Sequence, residues 1–264
     1  MVLVRISGLE LPTNDLDALC TFYCDALGFK RCSQDETSIV IELGGTFVRL
    51  RYTHGRPIPV DSRSHDRWFR HIAISVRHMQ PAYQRLRDAG VSFVSEPVRL
   101  PNCNAAVARI EAAYLRDPER HPLELIKFPP GKGHDNLKDY DRSHYLGIDH
   151  TAIVVADTAR AKAFYRERCG LEVEMRSHNF GPEQARLSGL EGADVLVTSL
   201  RGQGGIGLEL LQYLAPTDGR NIPADTNDND LWSGVTCLTA GAASPIDWAA
   251  APLTCDLDGH RVRI

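Results

Sequence analysis

The sequence predicts an α+β chain of tandem modules, each reading strand, helix and then three strands (βαβββ), with three modules complete and a fourth truncated. Two observations carry this. The run His150-Thr-Ala-Ile-Val-Val-Ala-Asp157 leads into helical sequence, and its unit closes at Gly207-Leu-Glu209-Leu-Leu. The run His71-Ile-Ala-Ile-Ser-Val-Arg-His78 also leads into a helix, and its unit closes at Asp117-Pro-Glu-Arg-His-Pro-Leu-Glu124-Leu. Glu209 follows His150 by 59 residues and Glu124 follows His71 by 53, so the two units share length as well as order. The second observation is a shared helix ending: Phe22-Tyr23 with Gly28-Phe29 corresponds to Phe164-Tyr165 with Gly170-Leu171. Recurrence at this spacing marks each unit as one supersecondary structure.

Module one opens with a strand over residues 4–12. Asn14 and Asp15 are placed to cap a helix whose face is Leu16, Leu19, Tyr23 and Leu27, and Gly28 ends it. Residues 37–43 and 46–52 then alternate or are β-branched, as strands are. Module two has a strand at 70–76, with His78 at the cap position that Asp157 holds in module three. Its helix carries Pro81 near the first turn and ends at Ala89-Gly90, and strands follow near 91–95, 106–114 and 122–128. A polar stretch rich in Pro, Gly and Asp runs from Pro129 to Ser143 and reads as a linker. Two domains follow from it: 1–128, and 147–264 after a linker at 129–146. Module three has a strand at 148–155, a helix from Ala159 to Arg168, and strands at 172–176, 194–200 and 207–214. Module four keeps a strand near 235–239 and a final segment, 256–264, that echoes 117–125.

Composition excludes several classes of function. Thirty basic against 34 acidic side chains leave a net charge of −4, which gives no electrostatic reason to expect nucleic acid or an acidic membrane as partner. No apolar run approaches the length of a membrane span, and a cytoplasmic protein is expected. The seven cysteines are odd in number and scattered, which argues against a disulfide framework or a cysteine-rich zinc site, although Cys20 and Cys24 share a helix face.

His71, Glu124, His150 and Glu209 are the candidate metal ligands. Side chains alternate along a strand, so His71 shares a face with Ala73 and Ser75, and His150 with Ala152 and Val154. Glu124 shares one with Ile126 and Phe128, and Glu209 with Leu211 and Tyr213. A carboxylate inside so apolar a strand is costly without a partner, and a metal supplies one. Two imidazoles and two carboxylates suit a borderline divalent ion: Ni, Co, Zn, Mn or Fe. The polar stretch 176–187 offers Asn179, Gln184 and Arg186 as substrate-binding candidates, and Tyr213, on the Glu209 face, joins them. The other histidines (His54, His65, His78, His121, His134, His144, His178 and His260) fall in turns, caps or loops and are expected at the surface.

These residues resemble the vicinal oxygen chelate superfamily, which includes glyoxalase I, epimerases, extradiol dioxygenases and bleomycin-resistance proteins. The motifs are Gly-Ile-Asp-His-Thr-Ala-Ile-Val-Val-Ala-Asp from Gly147, Ala-Phe-Tyr-Arg-Glu-Arg-Cys-Gly-Leu from Ala163 and Glu-Leu-Leu-Gln-Tyr-Leu-Ala-Pro from Glu209. The resemblance implies two glyoxalase-like domains of curled mixed sheets, with inner modules facing each other and outer modules facing each other. It places one ligand on the first strand and one on the last strand of each module: His71 and Glu124, then His150 and Glu209. In the outer modules the same places fall on Gly8 and Arg49, and on Val235 and Arg263, so one metal site is expected and the second is vestigial, structural or reassigned. Arg49 and Arg263 are expected as exposed edge residues, and Trp232 as a candidate lining residue of the second cavity.

The chemistry implied is metal-assisted 1,2-proton transfer in a small carbonyl substrate through an enediolate, with Glu124 or Glu209 as base: a lyase or isomerase of glyoxalase or epimerase type. The alternatives are an Fe(II) extradiol-type ring-cleavage dioxygenase and a non-catalytic small-molecule binding protein. The inner modules complete a site in one chain, which fits a monomer or a homodimer.

Overall fold

The computed structural model describes residues 4–101, 104–133, 144–240, 248 and 252–264. Most of the linker read at 129–146, together with His134 and Cys103, lies outside the described residues. Among the described residues no helix is long and apolar enough to cross a membrane.

Module one comprises β1 (Val4–Thr13), α1 (Leu16–Thr21, continued by a π-helical turn at Phe22–Ala26), β2 (Lys30–Gln34), β3 (Ser38–Leu43) and β4 (Thr46–Tyr52). Module two comprises β5 (Arg70–Val76), α2 (Met79–Asp88), β6 (Ser92–Phe93), β7 (Val98–Arg99), β8 (Glu111–Arg116) and β9 (Pro122–Lys127). Module three comprises β10 (Tyr145–Val154), α3 (Thr158–Cys169), β11 (Glu172–Phe180), α4 (Pro182–Ser188), β12 (Asp194–Arg201) and β13 (Gly207–Ala215). Module four is β14 (Val235–Ala240), β15 (Leu253–Cys255) and β16 (Arg261–Arg263). The helix α4 falls in the stretch that the sequence reads only as polar, and the strand expected at 106–114 begins only at Glu111.

The caps follow from side-chain chemistry. Asp15 accepts from the Ala18 N–H and Asp157 from the Arg160 N–H, each satisfying an orphan donor of a first turn. His78 occupies the same position before α2 but makes no side-chain capping bond. Gly28 and Gly170 end the α1 and α3 regions at φ +74° and +66°, which a side chain would strain.

Two mixed sheets result. The outer sheet runs β15-β16-β14-β1-β4-β3-β2 and joins modules one and four. The inner sheet runs β11-β12-β13-β10-β5-β9-β8, with β6 and β7 pairing on β8, and joins modules three and two. Inner modules therefore pair through β5 and β10, and outer modules through β1 and β14. Period-two alternation sorts the inner sheet's two faces. Ile72, Ile74, Ile153, Leu208 and Leu210 enter a core shared with the helices and the outer sheet. Ala73, Ala152, Val154, Leu211 and Tyr213 enter a second cluster on the face that carries His71 and His150.

Several histidines depart from expectation. His65, His121 and His260 are buried, while His54, His78, His144 and His178 are exposed. Two of the buried ones belong to a repeated device. Asp117 accepts from the His121 backbone N–H and from the Tyr23 hydroxyl (3.1 Å), and its carboxylate meets His121 Nδ1 at 2.8 Å. Asp256 repeats two of these contacts, accepting from the His260 backbone N–H and the Tyr165 hydroxyl (3.0 Å). Each device pins a module's helix to the terminal turn of another module. Tyr23→Phe and Tyr165→Phe are each expected to lower unfolding stability by about 1–2 kcal/mol, the cost of a buried hydrogen bond, and to add within experimental error in the double variant. Urea midpoints of the three variants check this.

Candidate metal centre

Strand register brings the four predicted ligands together. Across β13, β10 and β5 the row reads Glu209, Ala152, His71, and across β10, β5 and β9 it reads His150, Ala73, Glu124. The small alanines between the ligands, on a curled sheet, let side chains from strands two apart converge. His71 Nε2 lies 3.1 Å from Glu124 Oε2 and 3.4 Å from His150 Nε2, and His150 Nε2 lies 3.4 Å from Glu124 Oε2. Glu209 Oε2 stands 3.4 Å from His150 Nε2, while Glu209 Oε1 accepts from the Ser199 hydroxyl at 2.7 Å. His71, His150 and Glu124 are buried, whereas the Glu209 side chain is 18% exposed toward the cavity.

The donor set fits a divalent ion. Ligands bound to one ion at about 2.0–2.2 Å stand about 3.0–3.4 Å apart, which is the spacing of the His71, Glu124 and His150 donor atoms. These three form a compact metal-ligand cluster, with Glu209 alongside. Lone pairs converging in a buried pocket need positive charge among them, either a proton or a metal. Asp149 meets His150 Nδ1 at 2.9 Å, which holds the ring with Nε2 toward the cluster, as supporting carboxylates do for metal-bound imidazoles.

Electrostatics move Glu124 and His150 in opposite directions. Burial alone would raise the Glu124 pKa, but hydrogen bonds from His150 and His71 and their charge outweigh it and hold Glu124 down at about 2. Burial would lower His150, yet Glu209, the Asp149 hydrogen bond and Glu124 outweigh it and raise it well above the usual imidazole range.

The cluster lies at the floor of a cavity of about 510 Å³. Leu100, Val107, Ile126, Phe128, Val195 and Leu211 make most of the wall apolar. Of the predicted substrate-binding residues, Asn179, Gln184 and Tyr213 line this cavity. Gln184 Nε2 and the Tyr213 hydroxyl both donate to Ser188 Oγ, which fixes that wall. Arg186 is not on the wall. The α4 helix turns it outward, and it sits exposed, 3.6 Å from Glu183. Two residues escaped the sequence reading. Tyr114 pairs with Glu124 in the β8–β9 register, packs against His71 with ring centroids 5.0 Å apart and planes tilted by 44°, and lines the cavity. Asp149 was signalled by its place beside His150, but only the ring contact shows its use.

The outer sheet keeps the frame and inverts the charge. Gly8 pairs with Phe47 and Glu10 with Arg49, as His150 pairs with Gly207 and Ala152 with Glu209. Cys237 pairs with Arg263 as Ala73 pairs with Glu124. Gly8, Val235, Arg49 and Arg263 thus occupy the four ligand places, and Glu10 stands where the inner sheet has Ala152. Arg49 is not an exposed edge residue: with Arg51 it is about four-fifths buried, and the two bind the buried Glu10 at 3.3 and 2.8 Å. Arg263 is half-buried as well. Trp232 packs 6.4 Å from Trp68 with Arg56 over its ring. The second frame is a structural ion-pair cluster. Glu10→Ala, which leaves two part-buried guanidinium groups facing each other, is expected to cost about 2–4 kcal/mol in denaturant unfolding.

Residues 5–125 match the sequence model of the Glyoxalase/Bleomycin resistance protein/Dioxygenase superfamily. This part of the chain, 121 of its 264 residues, carries the sequence pattern of that superfamily. The fold of the chain aligns with a variant of glyoxalase I from Zea mays at a TM-score of 0.65 and 16% identity, over 99% of this chain and 92% of that one. The unaltered Zea mays enzyme gives 0.63 over the same shares. At that identity the likeness is one of fold. By sequence, the chain is 24% identical over 133 residues to the protein YwkD of Bacillus subtilis, covering 48% of this chain and 99% of YwkD. It is 25% identical over 132 residues to the virulence protein STM3117 of Salmonella typhimurium, covering 48% of this chain and 87% of that protein. Within this fold, the chain carries a buried His/Glu/His cluster suited to a metal on its inner sheet and an arginine–glutamate cluster on its outer sheet.

Proposed function

We propose that the protein is a metal-dependent lyase or isomerase of glyoxalase or epimerase type, moving a proton between adjacent carbons of a small carbonyl substrate. The observation that carries this reading is the different setting of the two glutamates. Glu124 is buried, held low by two imidazoles and suited only to bind. Glu209 borders the cavity, has one oxygen fixed by Ser199 and the other beside the cluster.

A divalent ion held by His71, Glu124 and His150 would supply Lewis-acid stabilisation of negative charge developing on the substrate's oxygens. The chain's own residues do the rest. Glu209 Oε2 accepts the proton from the carbon next to the carbonyl and returns it to the neighbouring carbon. The Ser199 hydroxyl holds Glu209 Oε1 and keeps that carboxylate aimed. The apolar wall excludes water from the reacting carbon, and Gln184 and Tyr213, tied through Ser188, fix the wall against which the substrate body rests. His71, Glu124, His150 and Glu209 come from one chain, so a monomer or a homodimer serves equally.

A second reading rests on a specific observation. The compact cluster contains two histidines and one carboxylate, with Glu209 bonded to Ser199 beside it, which is also the donor set of non-haem Fe(II) oxygenases. Metal content of protein purified without chelators separates the two. About one Ni, Co, Zn or Mn per chain, with solvent deuterium washed into an α-hydroxycarbonyl substrate in the absence of oxygen, is the expected result. Iron with oxygen uptake on catechols would transfer the assignment to a dioxygenase. No metal, even after reconstitution, would end both readings and leave a small-molecule binding protein.

A further inference from the structure

The loops that join module one to two and module three to four are related by the internal repeat, and their contacts are reciprocal. Arg56 Nε and Nη2 grip Asp230 as Arg220 Nε and Nη2 grip Asp66. Arg56 also binds Asp225, and Arg220 binds Asp61. Trp232 lies under Arg56 as Trp68 lies under Arg220. Gly55 and Gly219 are equivalent: an added Cβ would stand 1.6 Å from Asn229 O in one and 2.1 Å from His65 O in the other.

The symmetry breaks first at Asn14. Beside Gly55 sits Asn14, whose carboxamide oxygen accepts from the Gly55 N–H at 3.1 Å and whose nitrogen donates to Gly55 O at 3.1 Å. The counterpart of Asn14 is Ala156. The correspondence is fixed by Asp15 and Asp157 as helix caps, and by Asn14 N–H and Ala156 N–H donating to Glu119 and Asp258. Ala156 offers Gly219 no carboxamide. In its place is a cleft of about 290 Å³ lined by Ala156, Gly219, His65, Thr217, Tyr213 and Arg67. The carboxamide that Gln212 brings to the same cleft accepts from the Thr158 N–H at 2.8 Å. Among the described residues no protein group accepts from the Gly219 N–H.

Arg67 is the second change, since its counterpart is Leu231. Arg56, Arg63 and Arg220 each contact two aspartates. Among the described residues Arg67 has no carboxylate partner. Its guanidinium donates from Nη1 to Val155 O at 2.8 Å, and its Nε–H is buried without an acceptor. The carboxylates of Asp218 and Asp258 are already engaged, the first by Arg63 and His65 and the second by the Ala156 N–H.

We propose that this cleft is a binding site for the carboxylate of a small organic acid. One carboxylate oxygen takes the Gly219 N–H that the carboxamide of Asn14 takes in the twin site, and the negative charge meets Arg67, whose planar fork suits a carboxylate. Tyr213 lines both this cleft and the reaction cavity, so one side chain borders the two.

The test uses acetate as probe on the full chain labelled with nitrogen-15, with chloride as the control at equal ionic strength. Acetate is expected to shift the Gly219 amide and Arg67 Nε–H resonances saturably, and chloride is not. Ala156→Asn restores the carboxamide of the twin site and Arg67→Leu restores its leucine. Both residues are already accommodated at the equivalent positions, so both variants are expected to fold and to weaken the Gly219 response at least tenfold. An unsaturable shift in the parent protein, an equal response to chloride, or an undiminished response in Ala156→Asn would each overturn the site.

Discussion

Glu209→Gln is expected to lower turnover of a proton-transfer substrate by a factor of about 10²–10⁴, the usual worth of a positioned base, while metal content stays near that of the parent protein. The asymmetry of the two glutamates leads to this. The amide keeps the length of the side chain and can still accept from Ser199 through its oxygen, so the cavity wall is preserved, but it cannot take a proton. Glu124→Gln removes a charge from the buried cluster in which both imidazoles point at one carboxylate oxygen. Its first effect is expected on metal retention, with activity falling in proportion to metal lost. Ser199→Ala separates aiming from basicity: Glu209 loses its fixed hydrogen bond, and kcat is expected to fall by less than in Glu209→Gln, with metal content unchanged. Metal analysis beside steady-state kinetics on the three variants checks the order. If Glu209→Gln retained full activity with its metal, the proton would be moved by another group, and the phenol of Tyr114, packed against His71 in the cavity, would be the next to replace.

The ligand set was legible because a repeat carries it. His71 and His150 open equivalent strands and Glu124 and Glu209 close equivalent units, so equivalence in sequence became proximity once β5 and β10 paired. The pairing of β1 with β14, near opposite ends of the chain, has no local signal and came only with the resemblance. Local periodicity also fails where an element is short. The polar helix α4 has seven residues and starts at a proline, and reading its stretch by polarity alone put Arg186 on a wall from which helical periodicity removes it. His121 and His260 read as surface turn residues because what buries them is remote: the tyrosines that share Asp117 and Asp256 lie 94 and 91 residues away. The outer arginines failed for the same reason, since only the strand register shows Glu10 standing between Arg49 and the loop contacts of Arg51.

Metal affinity is expected to rise with pH through the neutral range, by about tenfold per unit for each proton that the ion displaces. The direction follows from the metal-free cluster. Glu124, held at about 2, is ionised throughout the range and releases nothing. His150 is raised well above its usual value by Glu209, Asp149 and Glu124 acting against burial, so its imidazole carries the proton that the converging lone pairs require. A metal must expel that proton to reach Nε2. Titrations at pH 7 in two buffers of different ionisation enthalpy should therefore report about one proton released per ion bound. The same linkage acts on folding with the opposite sign. A raised folded-state pKa gives the metal-free protein stability that is fully present below the unfolded histidine value and is lost as pH rises through the folded one. The metal-free and metal-loaded forms should then diverge in melting temperature as pH increases, the first falling while the second holds. Asp149→Asn removes one of the contributions that raise His150, and should lower both the proton release at pH 7 and the pH at which affinity levels off. A flat affinity between pH 6 and 8 with no proton released would mean that His150 is neutral in the metal-free protein. The carboxylates around it would then be holding its orientation and not its charge.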